Sequence, residues 1–348
     1  MTAINFSAQW TPALQSVRPS TPSLIRRVYE CVKAILFYIP NYFIQKFINR
    51  TVLPVSTLPL SQIRRIDQVF RQTMSTSSYN VSELKITTPD HVQLQGHFIK
   101  HKNHDTNPHS RVLLLFHGND TIYQDMGHLW LSHLLQKANV PYSFVLCNLR
   151  GTGMSQQEPI SETAHVIDAD SIYQTIKDNL RVAEERIDIY GHSLGGALAA
   201  HLKKLHPHTQ GRLFLDRTFS SLGKEISYVL ENTPTLFQKV AAYITKRYGW
   251  EYNVYDKLSS IQDKVHVFTH IQDGSIPLHC SLGGLVQQTN PHPQTITVHH
   301  FSGGQDPHCD PLIYTSPVST TYTPLSKPST QILLDAFRYQ TPTLQAGG

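Results

Sequence analysis

The chain is poor in cysteine, in charge and in long apolar runs, and each scarcity removes a class of protein. Four cysteines (Cys31, Cys147, Cys280, Cys309) in 348 residues form no CxxC pair and no dense framework. This excludes a disulfide scaffold or a thiolate zinc site and implies reduced thiols, as in an intracellular protein. Charged residues make up 16% of the chain and apolar ones 40%, a balance that supports a substantial core and is foreign to disordered chains. No stretch reaches the roughly 20 uninterrupted apolar residues that span a bilayer. The start, "MTAINFSAQWTPALQ", lacks the basic-then-apolar pattern of a secretory signal. Glycosylation sequons occur at Asn49, Asn80 and Asn119, but Asn119 follows a candidate catalytic loop where a glycan would block access. A secretory route is therefore not expected. Nucleic acid is not an expected partner either, because no basic stripe or readout motif is present. No internal repeat is evident.

The formal charge of +5 is unevenly placed. Residues 1–75 hold nine Lys and Arg against only Glu30 and Asp67. Within them, "PSLIRRVYECVKAILFYIPNYFIQKFINR" (22–50) is apolar with basic punctuation, broken by Lys33, Pro40, Asn41 and Lys46. Two readings are open: a helical pair packed on the domain, or an interfacial helix whose basic residues meet anionic headgroups. Leu60, Ile63, Ile66 and Phe70 recur near helical period and predict a helix over 60–74. Residues 1–78 are thus expected to form a basic, apolar, helical extension ahead of a main domain over 79–340.

From residue 81 the pattern becomes that of strands. "SELKITTPDHVQLQGHFI" alternates around a Pro-Asp turn and predicts a hairpin, and 101–110 is a polar loop. Apolar runs then follow at 111–118, 141–148, 186–191, 211–216, 264–270 and 294–301, separated by helical stretches. Such near-continuous apolar strands alternating with helices predict an α/β fold with a mostly parallel twisted sheet covered on both faces. Residues 315–330, rich in Ser, Thr and Pro, read as an irregular loop before a last short helix, and 341–348 as a disordered tail.

The densest signal is "IDIYGHSLGGALAAHLKKL" (187–205), a strand that turns sharply into a helix at Ser193. The central residue of so tight a turn takes unfavourable backbone angles, and neighbours two positions away must be nearly bare, which accounts for Gly191 and Gly195. The turn exposes the hydroxyl at the carboxyl edge of the sheet, where the Leu194 NH and the helix dipole face developing negative charge. Leu194, Ala197, Leu198, Leu202 and Leu205 are expected along the inner face of that helix.

A serine hydroxyl needs a histidine base held by a carboxylate. The chain has 20 histidines, so position must decide. "VFTHIQDGSIP" supplies Asp273 after the 264–270 strand, and "FSGGQDPHCDPL" supplies His308 after the last strand. Asp216 is an alternative acid and His279 an alternative base, while His299 and His300 read as structural. His192 is expected to turn away into packing and His117 to shape its loop. The turn after 111–118, "FHGND", offers the Asn119 NH as second oxyanion donor.

Together "FHGND", "NLRGTGMS" (148–155), "YGHSLGG", "HIQDGSIP" and "GGQDPH" resemble the motifs of the α/β-hydrolase family, over residues 80–312. The family's usual Asp before Arg-Gly is Asn148 here, and a Gly common three residues before the acid is His270. The resemblance implies the order Ser193, Asp273, His308, and a helical cap over 222–252 in which Phe237, Tyr243 and Trp250 favour apolar or aromatic substrate parts. A helix pair packed only on the sheet is the other reading of that segment. "FLDRTFSSL" (213–221) with the basic leader is also similar to SidB-type hydrolase-like effectors of intracellular bacterial pathogens, which implies export into a host cell.

The reading that follows is a serine hydrolase of carboxylic esters, of lipid or acyl type, without metal or organic cofactor. Its expected partners are an ester or lipid substrate and a membrane surface touched peripherally through residues 22–50. An amide or thioester hydrolase and a catalytically idle interaction module are the rival readings.

Overall fold

Alternation in the sequence resolves first into a hairpin. β1 (Tyr79–Thr87) and β2 (Gln93–His101) pair antiparallel, from Tyr79 opposite His101 to Thr87 opposite Gln93. Thr88 closes the turn: its hydroxyl donates to Asp90 at 2.5 Å and accepts from the Val92 NH at 2.9 Å. The computed structural model describes residues 59–119, 121–125, 142–156, 161–207, 209–229, 231, 250–289, 295–321 and 323–337, with Lys239, Tyr243 and Arg247. The stretch 22–50, most of 230–249 and the tail 341–348 lie outside the described residues.

Six parallel strands follow the hairpin: β3 (Arg111–Phe116), β4 (Tyr142–Cys147), β5 (Ile187–His192), β6 (Leu213–Asp216), β7 (Val265–His270) and β8 (Ile296–Ser302). β9 (Ser316–Val318) closes the far edge antiparallel to β8, and the order is β1-β2-β4-β3-β5-β6-β7-β8-β9. β9 corrects the expectation of an irregular loop over 315–330. A three-residue edge strand has no periodicity to read, and Pro317, opposite Phe301, is tolerated only because an edge strand needs no donor outward.

Every residue of β3, β4, β5 and β6 is buried, as a sheet covered on both faces requires. Val112 and Leu114 pack with Ile172 of α2 (Glu162–Gln174) and with Ala197, Leu198 and Leu202 of α3 (Leu194–Leu205). Leu113 and Leu115 point the other way, with Phe70 and Met74 of α1 (Leu60–Met74) and Leu333 and Phe337 of α7 (Ser329–Phe337). Between them in the chain lie α4 (Leu222–Val229), α5 (Tyr255–Leu258) and α6 (Leu282–Thr289). Two details differ from the apolar pattern. Leu205, the last residue of α3, is 53% exposed, whereas Lys203 is buried with its ammonium on Thr209 Oγ1 and the Gly211 carbonyl, each at 2.6 Å.

Opposite the Ser193 end, Asp188 at the start of β5 binds Arg111, Arg212 and the Tyr142 hydroxyl. Burial opposes its charge, but the two guanidiniums hold its carboxyl far below the usual carboxylate range. At the other end, the chain leaves β3 toward β4 on one side and continues from β5 toward β6 on the other. This switch point opens a crevice at the carboxyl ends of β3 and β5, where α/β sheets bind ligands.

Candidate functional site

Ser193 occupies that crevice with φ 53° and ψ −121°, in the left-handed half of backbone space. A non-glycine residue there costs about 1–3 kcal/mol and persists only when its surroundings enforce it. Here the Ser193 NH donates to the Asp216 carbonyl at 2.9 Å, and its own carbonyl accepts from Thr218 Oγ1 at 2.6 Å and the Gly196 NH at 3.0 Å. The flanking glycines are obligatory by contact. A Cβ at Gly191 would lie 2.2 Å from the Gly195 carbonyl oxygen, and one at Gly195 would lie 2.3 Å from that of Phe116. The Ser193 hydroxyl makes no capping bond to its own helix.

That hydroxyl instead lies 3.1 Å from His308 Nε2, and His308 Nδ1 lies 2.8 Å from Asp273 Oδ2. Asp273 Oδ1 accepts from the NH groups of Ser275 and Ile276, both at 2.9 Å, which fixes the carboxylate in its loop. With a carboxylate at Nδ1, the ring proton sits there and Nε2 is the acceptor for the serine hydroxyl. The structure therefore brings Ser193, Asp273 and His308 into one chain of hydrogen bonds.

The base-bearing loop is fastened at several points. Gly303 and Gly304 turn it at φ 81° and 90°. Asp310 accepts from the NH groups of Gln305 and Asp306, at 2.6 and 2.9 Å, and Asp306 accepts from His308 and Cys309, each at 3.1 Å. His270, standing where the resemblance would put glycine, donates from Nε2 to the Gly303 carbonyl at 2.7 Å, and Gln272 accepts the Gly303 NH at 2.8 Å. The acid loop and the base loop are thus tied together by the departure from the motif.

Asp216 belongs to a separate, buried network. It accepts from Arg217 Nε at 2.8 Å, Arg217 Nη2 at 2.9 Å and the Tyr190 hydroxyl at 2.5 Å, and its Oδ2 lies 3.2 Å from His192 Nδ1. Although burial opposes its charge, Arg217 holds its carboxyl far below the ordinary range. Arg217 also donates to the carbonyls of Pro307 and Asp310, at 3.2 and 2.7 Å, so it grips the loop on both sides of His308. Asp216 partners His192 rather than His308. His192 does not turn away into remote packing as expected: its ring lies against that of His308, with centroids 5.0 Å apart. Burial lowers the basicity of the His192 imidazole.

Leu194 opens α3 directly after the serine, and Asn119 lies half-buried in the turn after β3. The Phe116 and His117 carbonyls sit where a Gly195 side chain would be, so this turn packs against the serine elbow. His117 Nδ1 donates to the Gly118 carbonyl at 2.7 Å, consistent with a loop-shaping part. Asn148 shows why an amide suits its position: it accepts from the Tyr123 NH at 3.2 Å and donates to Gln124 Oε1 at 2.9 Å, which a carboxylate could not do. His279 packs edge-on against Tyr228, and His299 stacks on His266. Among the described residues no group of three His, Cys, Asp or Glu could hold a metal ion.

The alpha/beta hydrolase fold family matches residues 111–247, the span that carries the β3 turn and the serine elbow. The chain has the α/β-hydrolase fold. An alpha-beta hydrolase from Vibrio vulnificus superposes with a TM-score of 0.58 at 18% identity, covering 76% of this chain and 86% of that one. Among sequence relatives, an uncharacterized membrane protein of Saccharomyces cerevisiae is 25% identical over 202 residues, 56% of this chain and 68% of its own length. The bem46 protein of Schizosaccharomyces pombe is 29% identical over 169 residues, 47% of this chain and 50% of its own. The match therefore spans about half the length of bem46.

Arg217, His192 and His270 were not singled out for this site from the sequence. The first two reach it through the sheet, which the sequence does not show: His192 and Asp216 are register partners on adjacent strands, and Arg217 follows directly. The cap reading of 222–252 also changes in one particular. Trp250 is fully buried, 5.2 Å from the His165 ring, and belongs to the core rather than to a substrate wall.

Proposed function

We propose that the chain is a serine hydrolase acting on carboxylic esters. The observation that carries this reading is the hydrogen-bonded series from Ser193 through His308 to Asp273, at 3.1 and 2.8 Å. Ser193 Oγ attacks the ester carbonyl while His308 Nε2 takes its proton, and Asp273 stabilises the imidazolium that forms. The Leu194 and Asn119 NH groups hold the oxyanion, each such donor supplying about 3–4 kcal/mol. Collapse expels the alcohol, which takes the proton back from His308 and leaves the acyl group on Ser193. Water, deprotonated by His308, then attacks the acyl-enzyme and releases the carboxylic acid. An idle binding module has no use for the elbow strain at Ser193 and the paired imidazole. The test is turnover of p-nitrophenyl esters of graded acyl length, with Ser193→Ala expected to lower kcat by about 10⁴-fold or more. Undiminished turnover by the alanine variant would overturn the reading.

A second proposal concerns residues 22–50, as a peripheral contact with anionic membranes. It rests on the basic excess of residues 1–75 and on the likeness to the uncharacterized membrane protein of yeast. Among the described residues no helix is long and apolar enough to cross a membrane. Reversing Arg26 and Arg27 to Glu in the full chain should weaken sedimentation with phosphatidylserine vesicles, and equal sedimentation would remove the proposal.

A further inference from the structure

We propose that Asp67 of α1 is a positioning residue for the oxyanion turn, acting through Gln124 and Asn148. This inference rests on the serine-hydrolase reading and ties the reaction to a helix that supplies no reacting group. The turn runs from the end of β3 to the single helical turn Tyr123–Asp125, and the Asn119 NH lies between those points. At its first end the Phe116 and His117 carbonyls pack against Gly195. At its second end it is held by α1.

That hold has an apolar and a polar part. Ile63 of α1 and Ile122, directly before the helical turn, form a buried cluster, with Ile66 and Met154 packed against it. Phe70 meets the Tyr123 ring edge-on, with centroids 5.5 Å apart. Between Ile63 and Phe70 stands Asp67, whose Oδ1 accepts from Gln124 Nε2 at 3.1 Å. Gln124 Oε1 accepts from Asn148 Nδ2 at 2.9 Å, and Asn148 Oδ1 accepts from the Tyr123 NH at 3.2 Å. Asp67, Tyr123, Gln124 and Asn148 are all buried. Arg71 Nε pairs with the other oxygen of Asp67 at 3.1 Å from the exposed side of the helix.

The direction of the donors singles out Asp67. An amide side chain has nearly the same shape with its nitrogen and oxygen exchanged, so packing alone does not orient it. A carboxylate only accepts, which turns the Gln124 nitrogen toward α1 and its oxygen toward Asn148. Asn148 must then give its nitrogen to Gln124, and its oxygen is left to receive the Tyr123 NH. Without the acceptor at residue 67, neither orientation is enforced and a buried donor of Gln124 is orphaned. An oxyanion donor works by being held where charge develops. The network therefore fixes the far end of the turn that carries the Asn119 NH.

The experiment uses the full-length protein with Asp67→Ala, Asp67→Asn and Gln124→Leu, read by turnover of p-nitrophenyl butyrate and by amide hydrogen exchange. In Asp67→Ala and Gln124→Leu, exchange over residues 117–125 should accelerate while β5 keeps its protection. Their kcat should fall on the order of 10²-fold with KM nearly unchanged. Asp67→Asn keeps the acceptor oxygen and should restore both protection and kcat most of the way. Unchanged exchange over 117–125, or faster exchange with kcat intact, would overturn the proposal. So would failure of Asp67→Asn to restore either readout, or β5 protection lost in both Asp67→Ala and Gln124→Leu, which marks general unfolding. An inactive wild-type protein sinks the hydrolase reading, and the exchange result still decides whether Asp67 holds the turn. Wild-type turnover with unchanged exchange in the variants does the reverse.

Discussion

The imidazole of His192 lies against that of His308, with ring centroids 5.0 Å apart and planes inclined at 43°. His192 is held in turn by Asp216 at 3.2 Å. One carboxylate–imidazole pair therefore walls the other, and His308 is positioned through its face as well as through Asp273. Truncating His192→Ala should let the base drift. Misplacement of a catalytic group by about 1 Å costs on the order of 100-fold, so kcat should fall by up to that factor with little change in KM. Steady-state kinetics on a soluble ester separate the two parameters, and a KM effect alone would assign His192 to substrate contact instead.

Arg217 is the buried cation that neutralises Asp216 and grips the carbonyls of Pro307 and Asp310. It also holds a positive φ of 46°, beside the strained serine. Arg217→Gln leaves a buried carboxylate uncompensated, which typically costs about 3–5 kcal/mol. Urea unfolding should show that loss. The double variant Asp216→Asn/Arg217→Gln should recover part of it, because the orphaned charge is then gone.

Two glycines give opposite expectations. At Gly195 an added methyl meets the Phe116 and His117 carbonyls at 2.3 and 2.5 Å, and backbone cannot step aside cheaply. Gly195→Ala should destabilise the fold by about 1–3 kcal/mol and abolish esterase activity. At Gly223, on α4, nothing lies within 4 Å of the added methyl. Gly223→Ala should stabilise by up to about 1 kcal/mol through helix propensity. Thermal unfolding of the two variants reads both signs.

Asp90, in the hairpin turn, has its carboxyl lowered to about 2, chiefly by hydrogen bonds from Arg150, with help from Thr88. A folded value below the unfolded one, about 3.9, contributes stability that is fully present above the unfolded value. That contribution is lost as pH falls toward 2. The stability difference between wild type and Asp90→Asn should therefore be constant from pH 7 to 5 and shrink below pH 4. Urea midpoints across that range measure it, and a difference independent of pH would assign Asp90 a purely geometric part.

Much of this site was legible because its chemistry depends on local patterns. The serine elbow announces itself in Gly191, Ser193 and Gly195, since steric exclusion acts within four residues of chain. Asp273 and His308 could be placed because each follows a strand whose apolar run is unmistakable. The helix over 60–74 falls within the expected limits, since Ile63, Phe70 and Met74 repeat at helical spacing. What was not legible depends on neighbours brought together by the sheet. His192 meets Asp216 across β5 and β6, and His270 meets Gly303 across the ends of β7 and β8. β9 was hidden because three residues, one of them proline, show no period. Trp250 looked like a cap residue by sequence position, but the His165 ring and the core claimed it.

The most direct measurement is covalent labelling of the full chain by a fluorophosphonate, read by intact mass and peptide mapping. The account predicts a single adduct on Ser193, absent in Ser193→Ala and formed far more slowly in His308→Ala. An adduct on another residue, or labelling of the Ser193→Ala protein at the wild-type rate, would contradict it.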